Sequence, residues 1–436
     1  MSDIRRSINF ALIGHGGDGK TTLADSLLFA AGVTSRLGRV DDGTSFMNWL
    51  PEEKVRRASI STSVCSFAHG DSELTVLDVP GDANFGGELR GALAAVDNAV
   101  IVLSGQDGVK FGTERSYRYA REHGLGLAAV ANKMDLERAD YDQVAKDLEE
   151  ALGVRVVRLH LPLGRGEKFA GFVNLLTGQA HRVDGSGKLE AIEPPADQAE
   201  AIAAARLAMI EAVAEADDAL LEKYLDQGAL SEEEILATLR KGVRDDTLLP
   251  LLCAASARNV GGGALLAAAE SIFPSAAETQ PHKARQGEQD VELAPDPAAP
   301  VSALVWKSVA DRYAGMLSVL RVFSGTLRKD MTLLNARTGA RERVGKLLRL
   351  HGEQTEEVTA VYPGQVAAIP KLKDTHTGDT LCDEKHGLSI AMEAPPHGVI
   401  SFAVEAENKG EEDKVFDALH RIVEEDKSLT LKRDER

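Results

Sequence analysis

The 436-residue sequence predicts a parallel α/β domain with an insert, then an antiparallel β-barrel, then the opening part of an α+β sandwich. Three observations predict this order. A short apolar strand runs directly into a glycine-rich loop and a helix over residues 8–32. Further apolar strands end on compact polar motifs within 74–85, 126–135 and 250–257. Past residue 300, short β segments alternate with Gly, Asp and Asn turns.

The first element is "INFALIG" (8–14), a β-rich run that leads into "GHGGDGKT" (14–21) and the helical stretch "TLADSLLFAAG". Leu23, Leu27, Leu28 and Ala31 share one helix face, and Gly32 is a C-terminal stop. This is the strand–loop–helix setting that a G-x-x-x-x-G-K-[ST] match requires. Gly14, Gly16, Gly17 and Gly19 let backbone N–H groups close around phosphate oxygens. The helix N-terminus adds partial positive charge. Lys20 reaches the β- and γ-phosphates, and the Thr21 hydroxyl is a magnesium ligand. His15, Asp18 and Thr22 complete the phosphate-binding loop. The motif alone does not separate ATP from GTP.

The second element is "LTVLDVPGDANF" (74–85), a buried strand ending at Asp78. A carboxylate there can hold magnesium through water, and Gly81 is placed to donate its N–H to a γ-phosphate. The plainer reading is a strand-ending Asp-Pro-Gly turn. The third element, "GLAAVANKMD" (126–135), ends in Asn132, Lys133 and Asp135. The Asp135 carboxylate can accept from guanine N1–H and the 2-amino group, and adenine offers no such donor pair. A buried acceptor left unpaired costs about 1–3 kcal/mol. The Lys133 stem can lie over the base plane. The fourth element, "PLLCAASA" (250–257), ends in Ser256 and Ala257, whose small size lets the Ala257 N–H approach guanine O6.

Asn132 and Ser256 lie 124 positions apart, far more than one helix and a return need. The stretch at about 155–248 is therefore an insert. Two segments in it read as strands, and "AEAIAAARLAMIEAVAEADDALLEKYLD" reads as one helix. It is either a structural elaboration or a partner surface.

Taken together, the chain resembles the translational GTPases, and most closely elongation factor G and its elongation-factor-G-like relatives. The motifs that carry this are "GHGGDGKTTLADSLLF", "DDGTSFMNWLPEEKVRRASIS", "DVPGDANF", "NKMD" and "CAASARN". The resemblance covers the whole chain and is loosest in the insert. It implies an α/β P-loop GTPase domain with an inserted subdomain, an antiparallel β-barrel and a partial α+β sandwich domain. It also implies GTP and Mg2+ as cofactors, the ribosome as partner, a cytoplasmic location and a monomer. The expected domains are 1–277 for nucleotide binding, 299–392 for the barrel and 393–436 for the incomplete third domain. Residues 278–298, polar and with three prolines, read as a linker.

The resemblance assigns the switch I magnesium ligand to Ser59, where relatives carry Thr. It also shows departures. Gly17 stands where the family phosphate loop carries Asp, and Arg57 replaces a glycine. Asp82 occupies the position of the histidine that orients the attacking water. An exposed aspartate is a carboxylate at neutral pH. Beside a triphosphate it would rotate away, take a proton or contact a cation such as Arg57. With Gly81 and Lys20, Asp82 forms the expected catalytic set. Slow or partner-independent hydrolysis follows. A ribosome-associated pseudo-GTPase regulator is the competing reading, and an unrelated P-loop ATPase or kinase is a third.

Relatives continue a few hundred residues further, so the chain reads as a fragment or a truncation. As such it is expected not to translocate ribosomes. Its net charge of -18 argues against a non-specific nucleic-acid grip, and no sequence-specific nucleic-acid contact is expected. No 18-residue apolar run is present, and the N-terminal apolar stretch ends at Gly14 as a strand, not a signal peptide. The widely spaced Cys65, Cys253 and Cys382 read as reduced and buried. His351, His376 and His386 read as exposed loop residues without metal spacing. Residues 394–406 read as a loop and a strand, 411–426 as an amphipathic helix, and 428–433 as the start of another strand.

Overall fold

The computed structural model describes residues 6–183, 189–311, 315–395, 398, 400–408 and 410–432. The described residues form two compact units, one within 8–83 and 96–279, the other within 6–7, 84–95 and 280–432.

The first unit is built on β1 (Arg6–Ile13), β2 (Ser63–His69), β3 (Ser72–Asp78), β4 (Asn98–Ser104) and β5 (Gly126–Asn132). Strands Leu249–Cys253 and Val156–Arg158 extend the sheet, in the order β2-β3-β1-β4-β5 and then these two. The pairs β1–β4 and β4–β5 are parallel, as are those of Leu249–Cys253 with β5 and with Val156–Arg158, and β2–β3 is an antiparallel hairpin. Strands β3 to β5 are buried along their whole length, as expected of a sheet covered on both faces. Ile13 pairs with Ile101, Ser104 with Asn132, and Ala131 with Cys253. This register brings the C-terminal ends of four strands to one edge, where ligands of open α/β sheets bind. Helix α1 (Lys20–Ala30) seals the core with Leu23, Leu27 and Leu28, all fully buried. The unit also contains α2 (Pro51–Arg56) and α4 (Phe111–Glu122), while α3 (Gly86–Ala94) belongs to the second unit.

The insert forms a four-stranded antiparallel sheet from 160–163, 171–174, 180–183 and 189–192. The single long helix expected after it is broken into Ala199–Ala214 and Asp218–Gln227. Asp217 causes the break: its carboxylate accepts from Ala219 N and Leu220 N, which starts a new helix. A third helix, Glu232–Arg244, opens on a Ser231–Glu234 capping box.

In the second unit the antiparallel strands run from Arg341–Arg343 at one end of the order to Leu347–His351 at the other. Val344 and Leu347, from opposite ends, share one core with Val305, Leu320 and Ile369. The sheet therefore curls around its own interior. The expected linker is structured. His282–Gln286 pairs with Gln289–Leu293 as a hairpin, and Ala284 and Leu293 pack with Leu304, Phe323 and Ile390. The helix near the C-terminus is Glu412–Glu425. The strands expected at 401–406 and 428–432 do not form among the described residues, and Arg433 lies outside them. Ile400, Phe402 and Val404 stay exposed, with no described strand to pair the segment.

The three cysteines are buried free thiols. Among the described residues no His/Cys/Asp/Glu group could hold a metal by itself, and no helix is long and apolar enough to cross a membrane. His376 and His386 lie in loops, as expected, within hydrogen-bond reach of the Glu424 and Asp383 carboxylates at 2.7 and 3.0 Å, whereas His351 ends the strand Leu347–His351.

Candidate nucleotide site

A cavity of about 840 Å³ opens at the strand-end edge of the first unit. Its wall contains His15, Gly16, Gly17, Gly19, Lys20, Thr21 and Thr22 from the first loop, with Gly81 and Asp82 from the loop after β3. Ser59, Lys133 and Ala257 line it as well. Residues predicted from four separated motifs thus meet in one place. Asp18, Asp78, Asn132 and Ser256 are buried behind this wall, and Asp135 sits half-buried just past the end of β5.

The phosphate loop is held from several sides. Lys20 Nζ donates to the Gly14 and His15 carbonyls at 3.2 and 2.8 Å, and burial lowers its pKa to about 8. Asn132 Nδ2 donates to the Asp18 carbonyl at 3.0 Å, while its Oδ1 accepts from Ser256 N at 3.1 Å. Asn132 therefore ties the first, third and fourth motifs together. Gly19 has no room for a side chain, since a Cβ would lie 2.4 Å from Asn132 Nδ2. Lys133 Nζ donates to the Gly17 carbonyl at 2.6 Å. Asp18 does not face the cavity with its side chain. Its Oδ1 accepts from Lys110 Nζ at 2.9 Å, and Lys110 also holds Asp107 at 2.8 Å. Sequence reasoning missed Lys110, which sits in a loop with no motif of its own.

The three expected metal ligands converge. Thr21 Oγ1 donates to Asp78 Oδ2 at 2.6 Å and lies 2.9 Å from Ser59 Oγ. Ser59 Oγ donates to Asn48 Oδ1 at 2.8 Å. Asp78 Oδ1 is buried without a partner, and burial raises the Asp78 pKa to about 6. Two hydroxyls and one carboxylate, with one of its oxygens orphaned, form an oxygen-only set of the kind that a hard divalent cation takes. These residues fit Mg2+.

Two buried carboxylates, neither singled out by motif, hold the segment that carries Ser59. Glu53 Oε1 accepts from Ile60 N and Ser61 N at 3.0 and 3.3 Å. Asp25 Oδ1 accepts from Phe46 N at 3.0 Å. Asp25 was readable as the one acid within α1. Burial raises its pKa from 3.8 to about 6. A carboxyl whose folded pKa is raised stabilises the fold when protonated. That contribution is full below about pH 4 and is lost as pH rises through about 6. Asp25→Asn should therefore flatten the pH dependence and add roughly 2–3 kcal/mol above pH 7. Thermal unfolding from pH 5 to 8, without nucleotide, reads this directly. Parallel profiles for the two proteins would refute it.

Arg57 follows α2 with φ 54° and ψ 38°, the left-handed conformation that glycine adopts without cost. Arg57→Gly should stabilise the chain by about 0.5–1 kcal/mol in urea unfolding. A loss of stability would contradict this reading of the turn.

Comparison with known proteins gives three family matches. Residues 5–275 match the model of the elongation factor Tu GTP binding domain. Residues 300–384 match elongation factor G domain 2, and 395–436 match elongation factor G domain III. A crystal structure of a Thermus thermophilus protein is similar over 100% of this chain and 63% of its own, with 30% identity and a TM-score of 0.86. The chain thus spans less than two thirds of that relative's length.

Proposed function

Since the chain belongs to the translational GTPases and carries the elongation factor G domain order, we propose that it binds GTP with Mg2+ and hydrolyses it slowly in a cycle coupled to the ribosome. One observation carries the reading: Lys20, Thr21, Ser59, Gly81, Lys133 and Ala257, from separate motifs, line a single cavity.

In this reading the loop amides and Lys20 bind the β- and γ-phosphates, and Gly81 N–H donates to the γ-phosphate. Thr21, Ser59 and Asp78 hold Mg2+, which when bound neutralises charge on the β- and γ-oxygens. Asp135 accepts from the guanine edge, Ala257 N–H meets O6, and the Lys133 stem covers the base. Asp82, exposed at the mouth of the cavity, accepts a hydrogen bond from water but cannot donate one to phosphate while ionised. Catalysis in this class is mostly positioning and electrostatic stabilisation. In this reading Asp82 is the one departure among the positioning groups, which favours a slow enzyme over a regulator without turnover. The factor acts as a cytoplasmic monomer.

GTP turnover with and without ribosomes tests the proposal. Slow basal turnover that rises on adding ribosomes supports it. GTP binding with no turnover under either condition removes the enzymatic part.

A further inference from the structure

The cavity contains a cation that none of the four motifs supplies. Arg115 lies on α4, and Phe111, Gly112 and Arg115 all line the cavity from one face of that helix. The helix start is fixed against the phosphate loop. A Cβ on Gly112 would lie 2.7 Å from His15 Nδ1 and 2.9 Å from His15 Cα. The root of Arg115 is therefore set at short range from the loop that cradles the phosphates. Its Nε is buried and makes no hydrogen bond.

Three other basic groups near the loop already have partners. Lys20 is bonded to two loop carbonyls, Lys133 to the Gly17 carbonyl, and Lys110 to Asp18 and Asp107. Arg39 and Arg57 line the cavity from an exposed loop, whereas Arg115 projects from a regular helix. Arg115 is also close enough for its positive charge to act on Lys20. A guanidinium with a desolvated, unpaired N–H in a phosphate cavity is short of an anion. Asp82 adds a negative charge to the same wall, so an entering triphosphate meets a carboxylate that must be offset.

We infer that Arg115 is a phosphate ligand supplied from within the chain, which contacts the terminal phosphate of the bound nucleotide and offsets the charge of Asp82. The inference rests on the proposed guanine-nucleotide site. In hydrolysis the water oxygen bonds to the γ-phosphorus while the bond from that phosphorus to the β–γ bridging oxygen breaks. The bonding pair leaves with the diphosphate, and a water proton ends on the released phosphate. Arg115 stabilises the negative charge on the terminal phosphate oxygens throughout.

The test is calorimetric titration of the full chain with a non-hydrolysable GTP analogue and with GDP, both with Mg2+. The proteins compared are the unmodified chain, Arg115→Ala, Arg115→Lys and the Asp82→Asn/Arg115→Ala pair. Arg115→Ala should weaken the analogue about 10- to 100-fold, the value of one or two charge-assisted bonds, and GDP by no more than about 2-fold. Arg115→Lys should recover part of the loss, and the loss should shrink when Asp82 is Asn. Equal weakening of both nucleotides, or of neither, overturns the inference and leaves the site standing. Failure of the unmodified chain to bind either nucleotide overturns the site, and the inference with it.

Discussion

Gly81→Ala should lower GTP affinity and single-turnover hydrolysis by about 100-fold or more while leaving the fold intact. The added methyl would lie 2.2 Å from Lys20 Nζ and 2.7 Å from both Gly16 N and His15 C. Atoms at those separations must move. The ones available are the phosphate-binding lysine and the loop that cradles the phosphates. Gly81 does not have a positive φ, so alanine meets no backbone penalty there. Two of the three contacts are to loop backbone, so the variant loses some stability along with its grip on phosphate. Displacing either group removes charge-assisted contacts to phosphate, each of about 1.5–3 kcal/mol. GDP, which has no γ-phosphate, should lose less. Rapid-quench kinetics alongside a melting curve separate the two effects. A variant with near-normal turnover would show that the loop carrying Gly81 does not bear on Lys20 during the cycle.

Asp82→His should raise ribosome-stimulated GTP turnover at least about 10-fold. Asp82 stands at the cavity mouth, beside the loop segment that packs against Gly16. A carboxylate there repels the charge that develops on the terminal phosphate. A histidine removes that repulsion and adds a donor that can orient water, and a well-placed group of this kind contributes about 10²–10⁴-fold. Affinity for GDP should change little, since the β-phosphate is held by the loop amides and Lys20. Unchanged turnover in the variant would sink the explanation of slow hydrolysis by Asp82.

Much of the site was legible because it consists of strand ends. A buried strand followed by glycine or a short polar motif fixes where backbone amides and carboxylates emerge. The parallel register then brings Ile13, Ser104, Asn132 and Cys253 to one edge. What was not legible depends on contacts across the fold. Lys110 and Arg115 lie in no motif, Asp25 and Glu53 lie within motifs that give them no role, and the roles of all four come from what packs beside them. The hairpin at 282–293 was hidden by composition, because only Ala284 and Leu293 of its strands are buried among charged and polar neighbours. The error at 401–406 runs the other way. Ile400, Phe402 and Val404 alternate as a strand face should, but alternation specifies a face and not a partner. The missed helix break at Asp217 is an Asp capping signal set within a run of good helix formers.

The central claim is that the cavity selects a guanine nucleoside triphosphate. Equilibrium titration of the chain with GTP and with ATP, each with Mg2+, tests it most directly. GTP should bind about 100-fold more tightly, because adenine leaves the Asp135 carboxylate unpaired. Equal or tighter binding of ATP would contradict it.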